Sequence, residues 1–154
     1  MITRTRSILL AAAGSLALLG GALAFQVFGG LSPCHLCLLQ RWPHAAAILI
    51  AGLALALPGQ LLPLAGAMAA ATTAGIGMYH AGVEQHWWPG PDTCTAGDIA
   101  GLTTTDLTTQ LLSNTTVVQC DQIAWALAGI SMAGWNAILS SLLVGFWLRA
   151  LRRG

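Results

Sequence analysis

Residues 37–79 read CLLQRWPHAAAILIAGLALALPGQLLPLAGAMAAATTAGIGMY, and this stretch decides the fold. It holds two apolar runs, 37–57 and 61–79, each of about the 20 residues that a helix needs to cross a bilayer. Only Pro58-Gly59-Gln60 separates them, which is turn chemistry, so the two helices must be antiparallel neighbours. Arg41 is the one charged residue in the stretch. The sequence here predicts a helical hairpin inside a membrane.

Two further apolar runs flank this hairpin, at 8–28 and 123–148. Neither alternates with period 2, which favours helices over the strands of a membrane barrel. The turn 29–33 joins the first two spans, and residues 80–122 form the only long loop. We therefore expect an all-α membrane protein with a single domain, 1–154. Its architecture is a four-transmembrane-helix bundle with one long loop between helices 3 and 4.

The charges are few and segregated. Of 154 residues, 56% are hydrophobic and only 7% are charged, which excludes a disordered chain and a nucleic-acid partner. All five acidic residues fall in the long loop, and five of the six basic residues lie near the two ends of the sequence: Arg4, Arg6, Arg149, Arg152 and Arg153. Four spans bring both ends to one side, and the arginines predict that this side is cytoplasmic.

The first span permits one alternative. Arg4 and Arg6, an apolar core and then Ala22-Leu23-Ala24 are similar to a cleavable signal peptide. The apolar run continues through Phe28 with no polar segment behind it, which favours an uncleaved span. Cleavage would leave the orientation of the other spans unchanged.

Four cysteines, Cys34, Cys37, Cys94 and Cys120, all map to the non-cytoplasmic side, where disulfides form. Cys94 and Cys120 alone could be a structural staple. A CxxC pair closes too small a loop to be a good staple, but its spacing lets one thiol resolve a mixed disulfide formed by the other. Cys37 also lies near the first turn of span two, where the helix dipole favours the thiolate. This pattern predicts redox-active cysteines. The spacing does not suit a zinc site, so we expect no metal.

Arg41 lies one helical turn after Cys37, on the same face and about 6 Å deeper in the membrane. One interpretation is that its side chain extends to the interface. The other is functional, because a guanidinium beside a cysteine favours the thiolate and can donate hydrogen bonds to an acceptor oxygen. A lipid-soluble carbonyl compound such as a quinone would use both properties.

Motifs of one known family extend over nearly the whole chain. They are Cys34-x-x-Cys37 with Gln40-Arg41, Tyr79-His80 with Glu84, Gly90-Pro91-x-x-Cys94, Cys120-Asp121, and the stretch GISMAGWN at 129–136. On these residues the chain resembles the disulfide bond formation protein B (DsbB) family of bacterial inner membranes. CxxC alone would be weak evidence, whereas four cysteines in this order with Arg41 are specific.

The resemblance implies a multi-pass protein of the bacterial inner membrane with a periplasmic loop. It implies a protein-dithiol:quinone oxidoreductase. Such an enzyme reoxidises a periplasmic, DsbA-like thiol oxidase of thioredoxin fold and passes the electrons to the membrane quinone pool. The quinone would be ubiquinone or menaquinone. In that scheme Cys94 exchanges with the partner's dithiol and Cys120 exchanges with Cys34. Cys37 faces the quinone, and Arg41 lies beside one of the quinone's ring oxygens. His80 is expected to lie near the same quinone site.

Two other functions are compatible with parts of the pattern. A vitamin K epoxide reductase-like enzyme is also a small helical bundle with loop and CxxC cysteines, but in that family the loop cysteines precede the CxxC motif. A non-catalytic membrane scaffold would use the loop disulfide only for structure. The resting disulfide is open, either Cys94–Cys120 or Cys34–Cys120, and residues 98–112 could form a short helix lying on the membrane.

Overall fold

The computed structural model describes residues 3–91 and 119–153. The elements in order are the helices α1 (Arg4–Val27), α2 (His35–Ala56) and α3 (Leu61–Glu84), a two-stranded hairpin of β1 (Ala126–Leu127) and β2 (Ile130–Ser131), and the helix α4 (Met132–Leu151). Among the described residues these are four helices that are long and apolar enough to cross a membrane. The predicted fold class, a four-helix membrane bundle, is confirmed. Cys94 and the expected surface helix at 98–112 lie outside the described residues.

The helices form a ring. α1 packs against α2 and α4, and α3 packs against the same two helices from the other side. Short connections enforce the antiparallel order, and Gly59 in the α2–α3 turn takes a left-handed φ of 114°. Three of the helices begin at a side-chain cap: Thr3, Cys34 and Ser131 each accept a hydrogen bond from the backbone N–H three residues on.

The ring has two different ends. We call the end with the α2–α3 turn and the start of α1 the terminal end, because the first and last helices begin and finish there. Arg4 marks it by donating to the Leu57 and Gly59 carbonyl oxygens. The opposite end, with residues 28–34, 85–91 and 119–131, is the loop end.

The fourth span differs from the prediction of 123–148. The helix starts only at Met132, and the residues before it form the β1–β2 hairpin at the loop end. Ala128 and Gly129 both have positive φ, 53° and 77°, as a two-residue hairpin turn requires. Apolar composition alone did not separate these residues from the span. Ser131, which caps α4, is the local signal for the true start.

The third span also differs, because α3 continues past the predicted end at Tyr79 to Glu84. The prediction stopped where the apolar run stopped. The additional helical turn places His80 and Glu84 on the face of α3 that is buried in the bundle.

Candidate redox and cofactor site

The CxxC pair opens α2 at the loop end. Cys34 is the N-cap, and its sulfur accepts the Cys37 backbone N–H at 3.2 Å. The Cys34 thiol in turn donates to Cys37 Sγ at 2.7 Å. This hydrogen bond and, after it, burial raise the pKa of the Cys34 thiol above its ordinary value. Both are free cysteines here, so they represent the reduced pair, with Cys34 holding its proton.

Cys120 lies in the same buried cluster as Cys34, with Cys37 packed against it. Its side chain is fully buried, and it is disulfide-bonded. A disulfide sulfur and two thiols therefore meet at one point of the loop end. The resting state with a Cys34–Cys120 bond, left open by the sequence, is not the state seen here, because Cys34 is a free thiol.

His80 joins these cysteines from α3. Its Nε2 lies 3.6 Å from Cys34 Sγ, and its ring also hydrogen-bonds the Cys120 backbone. On the other side of the ring, Nδ1 lies 2.9 Å from Gln40 Nε2. The imidazole is 3% exposed, so no bulk water reaches it to replace these partners.

Asn136 of α4 connects this site to a second histidine, one turn deeper in the bundle. Its amide nitrogen donates to Gln40 Oε1 at 2.6 Å and to Thr73 Oγ1 at 3.1 Å. Its oxygen lies 2.9 Å from His44 Nε2 and accepts from Ser140 Oγ at 3.2 Å. Asn136 thus hydrogen-bonds side chains of α2, α3 and its own helix. Asn136 is the last residue of the motif at 129–136, and the structure gives its hydrogen-bond partners.

Arg41 turns from α2 toward α1. Its Nη1 donates to Gln26 Oε1 at 2.6 Å, and its Nη2 donates to the Ala22 carbonyl oxygen at 3.5 Å. The third nitrogen, Nε, is buried without a hydrogen-bond partner among the described residues. The guanidinium is therefore held at the α1–α2 contact by two of its five N–H donors.

A cavity of about 370 Å³ opens between α1, α2, α4 and the hairpin. Its walls are mostly apolar, and two indoles, Trp125 and Trp135, contribute to them. Besides the indoles, the polar residues that line it are Ser32, Cys37, Gln40, Arg41, His44, His80 and Asn136. The structure therefore brings together three of the residues proposed from the sequence for the cofactor (Cys37, Arg41, His80) on one cavity.

The two thiols and the histidine beside them could also be considered as metal ligands. The ligand atoms of Cys34, Cys37 and His80 lie within 4.8 Å of one another, and Glu84 Oε1 lies 3.9 Å from His80 Nε2. Such a set could hold a thiophilic cation once both thiols had lost their protons. The expectation that the site uses no metal stays a prediction.

Several residues of this site were not singled out as site residues from the sequence. Gln26 and Thr73 carried no motif, and Gln40 entered only as the neighbour of Arg41. The available signal was polarity: amides and hydroxyls inside transmembrane helices face a partner helix more often than lipid. The sequence does not tell which helix is that partner, because this depends on how the four spans are arranged.

The family model for disulfide bond formation protein DsbB matches residues 4–150. Disulfide bond formation protein B of Albidiferax ferrireducens is 31% identical over 147 residues, covering 86% of this chain and 84% of the relative. The protein of the same name from Verminephrobacter eiseniae is 31% identical over 161 residues, covering 99% of this chain and 88% of the relative.

No solved structure gives a significant match. The family match extends over both the CxxC helix and the last span, and the four helices have the length and composition of membrane spans. Reduced CxxC thiols beside a buried disulfide-bonded cysteine agree with disulfide chemistry at the loop end. The chain therefore belongs to the DsbB family, as a multi-pass inner-membrane oxidoreductase of disulfide bond formation.

Proposed function

We propose that the chain reoxidises a periplasmic dithiol oxidase of thioredoxin fold, similar to DsbA, and passes the electrons to a membrane quinone, either ubiquinone or menaquinone. The observation that carries the proposal is the cavity, which joins the Cys37 thiol, the Arg41 guanidinium and a mostly apolar wall. Its volume of about 370 Å³ is within the range of small-ligand sites. A quinone ring bound there would act as a two-electron, two-proton acceptor.

The donors around the cavity support this choice of cofactor. Arg41 lines the cavity, and its guanidinium has one N–H on Nε and two on each of the other nitrogens; Gln26 and Ala22 use only one of each pair, so N–H groups remain for an acceptor bound there. A carbonyl oxygen is such an acceptor. Gln26 and Ala22 hold the other two guanidinium nitrogens, so the group cannot swing away to the interface without losing both hydrogen bonds. This arrangement favours the functional interpretation of Arg41 over the interfacial one.

The protein's part in the reaction is thiol–disulfide exchange followed by oxidation of the CxxC pair. In exchange, one S–S bond forms as another breaks, and two electrons pass from the partner's dithiol through Cys94 and Cys120 to Cys34 and Cys37. The reduced pair then gives up two electrons and two protons to the acceptor in the cavity and closes a Cys34–Cys37 disulfide. Cys37 is the thiol that lines the cavity, whereas Cys34 is on the side of Cys120.

The proposed orientation places the loop end in the periplasm and both termini in the cytoplasm. It rests on the terminal arginines and the positive-inside rule. Only in this orientation does the cysteine end meet an oxidising compartment and a soluble thioredoxin-fold partner.

The test is a reconstituted assay. The purified protein is mixed with a reduced thioredoxin-fold dithiol protein and a quinone, and quinol formation is followed by ultraviolet absorbance. We expect the wild type to turn over and Cys37→Ser to form no quinol, because the cavity then has no thiol. If the two proteins behave alike, the enzyme proposal is wrong and a scaffold role is favoured.

Arg41→Ala tests the cofactor site within the same assay. Loss of charge-assisted hydrogen bonds of about 1.5–3 kcal/mol should raise the apparent quinone KM roughly 10- to 100-fold. Arg149→Ala, at the terminal end, is the matched control and should leave the KM unchanged. An unchanged KM in Arg41→Ala would return this residue to the interfacial interpretation.

A further inference from the structure

The network around His80 determines which nitrogen of its ring carries the hydrogen. A neutral histidine has one donor nitrogen and one acceptor nitrogen, and the partner on one side fixes the role of the other. For His80 that partner is the Gln40 amide, which lies 2.9 Å from Nδ1. The question is therefore which end of the Gln40 amide faces the ring.

Two backbone carbonyl oxygens determine the orientation of the Gln40 amide, because a carbonyl oxygen can only accept a hydrogen bond. The Gln40 amide atom that faces His80 also lies 3.3 Å from the Leu36 carbonyl oxygen, so it must be the nitrogen. Independently, the Asn136 amide atom that faces the other end of Gln40 lies 3.3 Å from the Thr73 carbonyl oxygen, so it too must be a nitrogen. It donates to Gln40 Oε1, which fixes the Gln40 amide a second time.

The consequence for His80 follows directly. Gln40 donates to Nδ1, so Nδ1 is the acceptor and Nε2 carries the hydrogen. Nε2–H is then the ring's one donor, and the Cys34 sulfur at 3.6 Å shares it with the Cys120 backbone. Glu84 Oε1, at 3.9 Å, is too far for a hydrogen bond and leaves the sulfur as the nearer side-chain acceptor.

We propose that His80 is a fixed hydrogen-bond donor to the Cys34 sulfur and not its general base, and that Gln40 and Asn136 are positioning residues that hold its ring in this tautomer. The proposal deepens the thiol-oxidase function and rests on it for its kinetic part. When a Cys94 thiolate attacks Cys120 in a Cys34–Cys120 disulfide, the Cys94–Cys120 bond forms, the Cys34–Cys120 bond breaks, and Cys34 leaves with the electron pair as a thiolate. A donor at Nε2 stabilises that leaving thiolate, whereas an unprotonated Nε2 would repel it.

The tautomer itself can be measured without any activity. Full-length protein with ¹⁵N-labelled histidine and a reduced Cys34–Cys37 pair is studied by NMR in nanodiscs, and His80→Gln identifies the His80 signals by their disappearance. We expect the Nε2–H tautomer in the wild type. In Gln40→Glu a carboxylate oxygen, which can only accept, faces His80 where the amide nitrogen stood. The ring hydrogen of His80 should therefore move from Nε2 to Nδ1. A wild-type ring with its hydrogen on Nδ1 would overturn the proposal.

Kinetics separate the donor from the base. A glutamine at position 80 can offer an N–H where Nε2–H stood, but it cannot take up a proton, and a leucine can do neither. In the dithiol–quinone assay we expect His80→Gln to keep its rate within about threefold of wild type and His80→Leu to lose roughly 10- to 100-fold, as for a hydrogen bond to a charged group. Equal loss in both variants would mean that proton uptake is what matters, and the proposal would be wrong.

The pH dependence gives a further check. Besides His80, the titratable and charged groups that face the site are the thiols of Cys34 and Cys37 and the Glu84 carboxyl, together with His44 and Arg41 on the same cavity. If His80 is only a donor, the acidic limb of the rate profile comes from the other groups and survives in His80→Gln; its disappearance would identify His80 as the base. If even the wild type forms no quinol, the proposed function fails, while the NMR result still decides the tautomer.

Discussion

The two ends of the bundle are held together in different ways. At the terminal end, small residues and a few large ones pack around the fully buried Trp147, with Ile8, Ala51, Ala67 and Leu143 among its neighbours. At the loop end, the space between the helices is filled by a hydrogen-bonded set of amides, imidazoles and a hydroxyl centred on Asn136. Packing at the terminal end requires only that the side chains fill the space between the helices. At the loop end each polar side chain must also have the orientation that its hydrogen bonds need.

The difference teaches where this protein needs precision. In lipid there is little hydrophobic gain from bringing helices together, so packing and interhelical hydrogen bonds must provide the stability. A bundle that only had to remain folded could use packing throughout. Here the polar interior lies beside the cysteines and the cavity, which indicates that it serves to orient the site as well as to join the helices.

Trp147→Ala should cause the largest loss of stability. The indole is 0% exposed, and its Nε1 has no hydrogen-bond partner among the described residues, so its contribution is packing alone. We expect a loss of about 3 kcal/mol, at the low end for Trp→Ala because lipid also solvates apolar side chains. The measurement is reversible unfolding in mixed detergent micelles, followed by circular dichroism.

Trp42→Ala is the matched control, because Trp42 is 75% exposed and removing it leaves no cavity. It should change the unfolding free energy by less than about 0.5 kcal/mol. At a temperature where Trp147→Ala is folded, its quinone KM should equal that of the wild type. A changed KM would mean that the two ends are not separate in the way described.

Asn136→Leu should have the next largest effect, at the other end. It removes hydrogen bonds to Gln40, Thr73 and His44, and interhelical hydrogen bonds in membranes average about 0.6 kcal/mol each, so we expect a loss of about 2 kcal/mol. Unlike Trp147→Ala, it should also lower the turnover rate of the folded protein. Ser141→Ala is the control, because that hydroxyl donates only to the Ala137 carbonyl of its own helix. If folded Asn136→Leu kept the turnover rate of the wild type, the hydrogen bonds around Asn136 would have a structural role only.

The contrast between the ends also explains what could be predicted from the sequence. Four helices and their antiparallel order follow from apolar runs and short turns, and Arg41 stands out as an unusual charge; these are local signals. That His80 meets Gln40, or that Arg41 meets Gln26, depends on the order of helices around the ring, and no local pattern encodes it. The hairpin before α4 was missed for a related reason: its residues are as apolar as a span, and only Ala128-Gly129 and the Ser131 cap distinguish them.

Gly77→Ala is expected to have the smallest effect, and it tests where the two ends meet. A Cβ there would lie 3.0 Å from both the Ala137 backbone nitrogen and Asn136 Nδ2, so α3 and α4 must separate slightly. We expect the free energy of unfolding to fall by about 1 kcal/mol because of this crowding.

Gly75→Ala is the control, because a Cβ there would have nothing within 4 Å. Its free energy of unfolding should instead rise by about 0.5 kcal/mol from better helix propensity. If the first variant were as stable as the second, the α3–α4 contact would be loose enough to absorb a methyl group. Asn136 could then not be held closely enough to fix the amide of Gln40, and the orientation of His80 would lose its support from α4.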